Sequence, residues 1–231
     1  MTFHIFRWAL AACVLSGICG DLAAQSSNKS DEYRALLERI EVFEKRNNER
    51  QPPDKVMSAV GVTAGMVIGE LGAGRGRYTV HLARRVSDRG KVYANDIDAE
   101  ALDFLRYRCQ RDEIANVEIV LGEVEDPHFP DASLDMIFMV WVYHMVESPV
   151  PLLRSLGSSL KPGAKVVMVE PVPEEIEQEL KEVTARGATD VYVNVLTRQS
   201  MEAYARQAGF RLIRTVEDLL EKDVIYILGK E

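Results

Sequence analysis

The stretch Met66-Val-Ile-Gly-Glu-Leu-Gly-Ala-Gly-Arg-Gly-Arg77 constrains this chain more than any other. An apolar run closes on Glu70. Gly72, Gly74 and Gly76 follow at every second position, with Ala73 between the first two, and a helix-like segment, Tyr78–Val86, comes next. Strand, glycine turn and helix start in that order build a small-molecule pocket. Glycine tolerates positive φ and lets backbone approach a ligand. The helix start adds unpaired N–H groups and a partial positive charge. The spacing is not that of the dinucleotide fingerprint G-x-G-x-x-G. Counted from Gly72 its third glycine falls on Arg77, and counted from Gly74 it falls on Thr79. A tight strand-to-helix turn with no ligand is the plain alternative.

From this turn onward, strand-like and helix-like segments alternate. Strands are expected at Met66–Leu71, Lys91–Asp96, Val117–Leu121, Leu134–Val142 and Lys165–Glu170, with closing strands at Phe210–Leu219 and Val224–Leu228. Helices are expected at Gly76–Val86, Ala99–Glu113, Pro149–Leu160, Glu174–Ala185 and Arg198–Ala208, the last capped by Thr197 and ended by Gly209. Lys161-Pro-Gly163 reads as a turn. Such alternation makes an α/β fold with a mostly parallel sheet between helices. Ligands in these folds sit at the carboxyl ends of the strands. Asp96 ends the second strand, twenty residues beyond Gly76, where a carboxylate accepts hydrogen bonds from a ribose. Asp98 reads as the cap of the helix that follows, and capping is the plain alternative for Asp96 too.

The N-terminal part is organised differently. Met1–Trp8 carries Arg7, Ala9–Cys19 is mostly apolar, and small and polar residues follow to Ala24. That order is a secretory signal peptide over residues 1–24, and it implies an exported, periplasmic protein. Two alternatives stay open: a lipoprotein box at Leu10-Ala-Ala-Cys13, or an uncleaved anchor. The apolar run falls short of the ~20 residues of a membrane span, so no span is expected in the mature chain. Residues 25–60 read as a linker, Gln25–Ser30, and a helical extension: Asp31–Arg46, broken by Pro52-Pro53, then Asp54–Val60. Residues 61–231 form the main domain.

Net charge is −8, so there is no basic excess of the kind that neutralises nucleic-acid phosphates. Cysteines are three, and two of them, Cys13 and Cys19, lie in the signal segment. Cys109 alone would remain after cleavage, which leaves no internal disulfide. Four histidines are spread without metal-ligand spacing, and no G-x-S-x-G elbow occurs, so no metal site or serine nucleophile is expected.

Taken in order, E-x-G-x-G-x-G (Glu70–Gly76), Asp96, Leu121-Gly-Glu-Val-Glu-Asp126, Asp135 opening an apolar strand, and Leu160-Lys-Pro-Gly-Ala-Lys-Val-Val-Met-Val-Glu170 resemble the class I S-adenosylmethionine-dependent methyltransferases. The resemblance runs from Gln51 to about Pro171. It implies a Rossmann-like three-layer sandwich whose seven-stranded sheet is mostly parallel with an antiparallel last strand. It implies S-adenosylmethionine as cofactor. Glu70, Gly72, Ala73, Gly74 and Gly76 would face the amino-acid end, Asp96 the ribose, Ile97 the adenine face, and Glu123 with the Val124 N–H the adenine edge. Glu stands at 123 where the family more often has Asp, and a solvated acidic loop is the alternative there. Tyr143 and His144, just after the fourth strand, stand where the family places substrate-facing groups, and His144 is a candidate general base. Direct displacement at a sulfonium methyl needs alignment more than a base. The acceptor, a small molecule or otherwise, is not named by the sequence. Two other functions remain: a binding module of the same fold without catalysis, and a nicotinamide oxidoreductase, which the glycine spacing opposes.

Overall fold

The computed structural model describes the backbone of residues 8–186 and 193–231, with side chains from residue 29 onward within those spans, except at 179. The chain divides into two compact units, Met1–Lys45 and Arg46–Glu231. Helix α1 covers Trp8–Arg50. Gln25–Ser30, expected as a linker, is part of it. Between Asp21 and Arg50 there is neither Pro nor Gly to break the ladder, and Pro52-Pro53 ends it.

The second unit carries the sheet. In chain order it runs α2 (Pro53–Ala59), β1 (Val67–Leu71), α3 (Thr79–Val86), β2 (Lys91–Asp96), α4 (Ala99–Arg111), β3 (Val117–Leu121) and β4 (Leu134–Val140). It continues with a 3₁₀ turn at Tyr143–Met145, α5 (Pro149–Ser159), β5 (Leu160–Pro171), α6 (Pro173–Ala185), α7 (Arg198–Gln207), β6 (Phe210–Val216) and β7 (Asp223–Lys230). The seven strands lie in the order β3-β2-β1-β4-β5-β7-β6. β7 is antiparallel to both its neighbours, and the other pairings are parallel.

Alternation along the central strands sends side chains to two cores, one on each face. Ile137, Met139, Val166 and Met168 join the core beneath α5 and α7. Met136, Phe138, Val167 and Val169 join the core beneath α2 and α3. All eight are fully buried, at roughly 1.5–3 kcal/mol for each large side chain relative to exposure. This two-sided burial is why β4 and β5 read as continuous apolar runs.

Local chemistry fixes the ends. Asp98 caps α4, its Oδ1 accepting from the N–H groups of Glu100 and Ala101. Thr197 and Ser200 form a reciprocal capping box on α7, and Gly209 takes φ +81 beyond its end. Asp135 accepts from Val67 N–H at the start of β1 and pairs with Lys161. The expected turn at Lys161–Gly163 is instead the first part of β5, which begins at Leu160 opposite Leu134 and shifts register before Met136. Only Gly163 within it needs positive φ, so Ala164 is accommodated without strain.

Candidate active site

Strand order reverses between β1 and β4: the chain goes outward from β1 through β2 to β3, then returns to the far side of β1. A crevice opens at the carboxyl ends of strands at such a point. Here it is a cleft of about 350 Å³, lined by the ends of β1 (Leu71, Gly72), β2 (Asn95, Asp96, Ile97) and the loop after β3 (Glu123, Val124). Beyond β4 its wall is Val140, Trp141, Val142, Met145 and Val146, backed by Leu152 of α5.

The glycine turn divides its work. Gly72, Gly74 and Gly76 all have positive φ. A Cβ on Gly72 would stand 2.3 Å from Val142 Cγ2, so Gly72 brings β1 against the cleft wall after β4. A Cβ on Gly76 would stand 2.4 Å from Leu105, so Gly76 admits α4. Gly74 faces open space, and its N–H donates to Asp96 Oδ2 at 2.7 Å. Ala73 is buried, and its N–H donates to Asn95 O. Of these four, Gly72 alone lines the cleft.

Asp96 is the hub. Its Oδ2 holds Gly74 N–H and its Oδ1 accepts from Asp98 N–H at 3.0 Å. Each oxygen keeps a lone pair for a ligand. Ile97, Val124 and Glu123 are exposed along the same side, and the Glu123 carboxylate makes no hydrogen bond or ion pair among the described residues. Glu70 does not line the cleft. It is buried one residue before the turn, and its Oε2 finds no hydrogen-bond partner among the described residues. Burial pushes its carboxyl up to about 8. The Thr79 hydroxyl, near but outside strict hydrogen-bond geometry, and the Arg77 guanidinium pull the other way.

Tyr143 and His144 correct the expectation drawn from the sequence: neither side chain lines the cleft. The Tyr143 ring is fully buried, and its hydroxyl donates to Pro149 O at 2.9 Å. Burial raises its phenol further, to a range where it carries no charge near neutrality. The His144 ring is 5% exposed and its Nδ1 lies 2.5 Å from Glu170 Oε2. The other Glu170 oxygen accepts from the N–H groups of Val142 and Tyr143. One residue's rotation at the end of β4 decides which side chains face out, and no local pattern records it. Arg186 pairs with Glu182 on the surface. Asn194 clamps the same turn, donating to His144 O and Val146 O.

The sequence reading missed three contributors, Asn95, Glu170 and Asp223, and left Trp141 open between core and cleft wall. Asn95, a polar residue ending an apolar strand, bonds Pro127 O at 2.8 Å and holds the loop after β3. Trp141 lines the cleft with φ +58. Glu170 and Asp223 act from behind the wall, at 0% exposure. Only Asn95 carried a sequence signal.

Residues 69–168 match the Methyltransferase domain family. A crystal structure of a SAM-dependent methyltransferase from Aquifex aeolicus superposes with a TM-score of 0.65 at 26% identity, over 76% of this chain and 88% of that one. Residues 69–168 carry a methyltransferase domain of the class I SAM-dependent kind. A SAM-dependent methyltransferase from Mesorhizobium loti shares the fold (TM-score 0.61, 16% identity, 75% and 95% covered). Over 111 residues the chain is 32% identical to the ubiquinone/menaquinone biosynthesis C-methyltransferase UbiE of Escherichia fergusonii. That match spans 48% of this chain and 44% of the relative, less than half of either.

S-adenosylmethionine is the cofactor of this domain. The residues present fit it. Gly72 gives backbone access, Asp96 and Glu123 offer carboxylate lone pairs to hydroxyl and amine donors, and the buried Glu70 oxygen is orphaned beside the turn. Among the described residues no group of three or more His, Cys, Asp or Glu is gathered to hold a metal ion. No helix among the described residues is long and apolar enough to cross a membrane.

Proposed function

We propose that this methyltransferase domain transfers a methyl group to a small acceptor received at the end of β4, by direct in-line displacement. The observation that carries the reading is Asp96: a carboxylate at the carboxyl end of β2 that lines the cleft while holding the N–H of the glycine turn. One group therefore sets both the ligand contact and the loop around it.

In this reading Asp96 accepts from the ribose hydroxyls. Glu123 accepts from the adenine amine, Val124 N–H meets the ring edge, and Ile97 covers the ring face. Gly72 and Ala73, with Gly74 and Gly76 shaping the turn, leave room for the amino-acid end, and Glu70 supplies negative charge toward its ammonium group. When bound, the cofactor supplies an electrophilic methyl group on a sulfonium. The chain's contribution is alignment, which removes most of the entropy cost of bringing two reactants together. The apolar wall after β4 excludes water from the reacting end. In this reading Tyr143 and His144 do not serve as base, because both side chains are turned inward and bonded. We also propose that residues 1–24 export the chain, which N-terminal sequencing of the mature protein and cell fractionation would test.

Calorimetric titration with S-adenosylmethionine and with NADH, followed by detection of S-adenosylhomocysteine over an acceptor panel, tests the function. Binding of NADH without S-adenosylmethionine overturns it.

A further inference from the structure

The two sides of the cleft differ in where their charges point. On the β4 side the lining is Val140, Trp141, Val142, Met145, Val146 and Leu152, none of them titratable. Two carboxylates behind this wall, Glu170 and Asp223, face inward. Glu170 gathers the turn after β4. Asp223 accepts from Trp141 Nε1 at 2.7 Å.

Trp141 is the unusual residue. A φ of +58 puts a bulky side chain in the left-handed region, a strained conformation that persists only where the surroundings over-determine it. Glycine or asparagine would occupy the position more cheaply. The surroundings here do over-determine it. Asp223 fixes the indole N–H, and Arg50 secures Asp223 with Nε at 2.6 Å and Nη2 at 2.9 Å. Arg50 is itself bonded to Lys222 O and paired with Glu175. The guanidinium groups of Arg50 and Arg77 stand 4.9 and 5.2 Å from the indole centroid. Strain, a buried carboxylate and two cations are all committed to holding one ring at the cleft.

We propose that Trp141 is the specificity-determining wall of the acceptor subsite, held by the positioning pair Asp223 and Arg50, and that the subsite takes an uncharged, apolar acceptor with a flat ring. This rests on the methyltransferase reading above. The argument for charge is desolvation. A charged acceptor would lose its water against six residues that offer no ionised partner, which is costly. The argument for a flat ring is the indole, which rewards planar partners beyond the area they bury.

The test uses the full chain saturated with S-adenosylhomocysteine and the neutral probe N-phenyl-1-naphthylamine. The chain has two tryptophans, so Trp8→Phe leaves Trp141 as sole donor for energy transfer to the probe. Transfer from Trp141 is expected. Trp141→Leu should weaken probe binding by about tenfold, and Trp141→Phe, which keeps a ring, by no more than about threefold. Asp223→Asn should red-shift Trp141 emission and weaken the probe. The sulfonated probe 1-anilinonaphthalene-8-sulfonate should bind about tenfold less tightly than the neutral one. Equal probe affinity in Trp141→Leu, absence of energy transfer, or preference for the sulfonated probe overturns the proposal. If Trp141→Leu does not fold, the Trp141→Phe comparison and the energy transfer decide. Calorimetry separates the two readings. Failure to bind S-adenosylhomocysteine sinks the methyltransferase reading, whereas binding it without the probe sinks this proposal alone.

Discussion

The β1–β2–β3 side of the cleft and the β4 side both depend on carboxylates, yet they use them in opposite directions. Asp96 and Glu123 hold lone pairs open to the cleft, and the glycine turn is arranged around one of them. Glu170 and Asp223 are spent entirely on the protein, fixing Trp141 to His144 from behind. One side is polar toward its ligand, and the other is polar only toward its own backbone. A carboxylate near a cleft is therefore informative only once its partners are known. Gly72 joins the sides, since its missing Cβ is what lets Val142 close on β1.

The contrast breaks most severely at Glu170. Glu170→Ala leaves the N–H groups of Val142 and Tyr143 and the His144 ring without their acceptor, a loss of about 3–5 kcal/mol. Thermal unfolding should show a fall of many degrees. Survival with an unchanged midpoint would mean that the turn is not held from behind.

On the other side, Asp96→Ala should cost the cofactor and also some stability, since the Gly74 and Asp98 N–H groups lose their acceptor. Losing hydrogen bonds to a charged acceptor at about 1.5–3 kcal/mol each predicts a loss of about a hundredfold in S-adenosylmethionine affinity.

A subtler difference is pH. Glu70 rises from 4.5 to about 8 in the folded chain. Between those values the native state holds a proton that the unfolded state has lost, so stability without ligand falls as pH rises from 4.5 to 8. A cofactor ammonium near Glu70 favours the charged form, so binding releases that proton and affinity rises over the same window. Calorimetry in buffers of different ionisation enthalpy measures the proton released. Glu70→Gln should flatten both slopes.

The smallest effect is expected at Tyr143. Tyr143→Phe removes one hydrogen bond to Pro149 O, about 1 kcal/mol, and lowers the unfolding midpoint by a few degrees with no change in methyl transfer. A large loss of turnover would return Tyr143 to the cleft.

The polar side was legible in the sequence because its signals are local. The acid–glycine spacing, Asp96 at a strand end and the Asp98 cap all lie within a few residues of the elements they serve. The β4 side was not. Trp141 meets Asp223 across 82 positions and Val142 meets Glu170 across 28, and their chemistry exists only once β4, β5 and β7 are neighbours. The unbroken apolar run shows that β4 is buried on both faces. It does not tell which way the chain turns after Val140, and so the sequence points Tyr143 and His144 toward a cleft that their side chains do not line. The β5 start at Leu160 was hidden for a related reason: Leu160 pairs with Leu134, and Lys161–Ala164 then bulge out before pairing resumes at Lys165 opposite Met136.

The central claim is that this cleft holds S-adenosylmethionine through Asp96. Isothermal titration of the wild-type chain and of Asp96→Ala with S-adenosylmethionine tests it most directly. The account predicts one cofactor per chain for the wild type and binding weakened by about a hundredfold in the variant. No heat of binding in the wild type, or equal affinity in the two proteins, would contradict it.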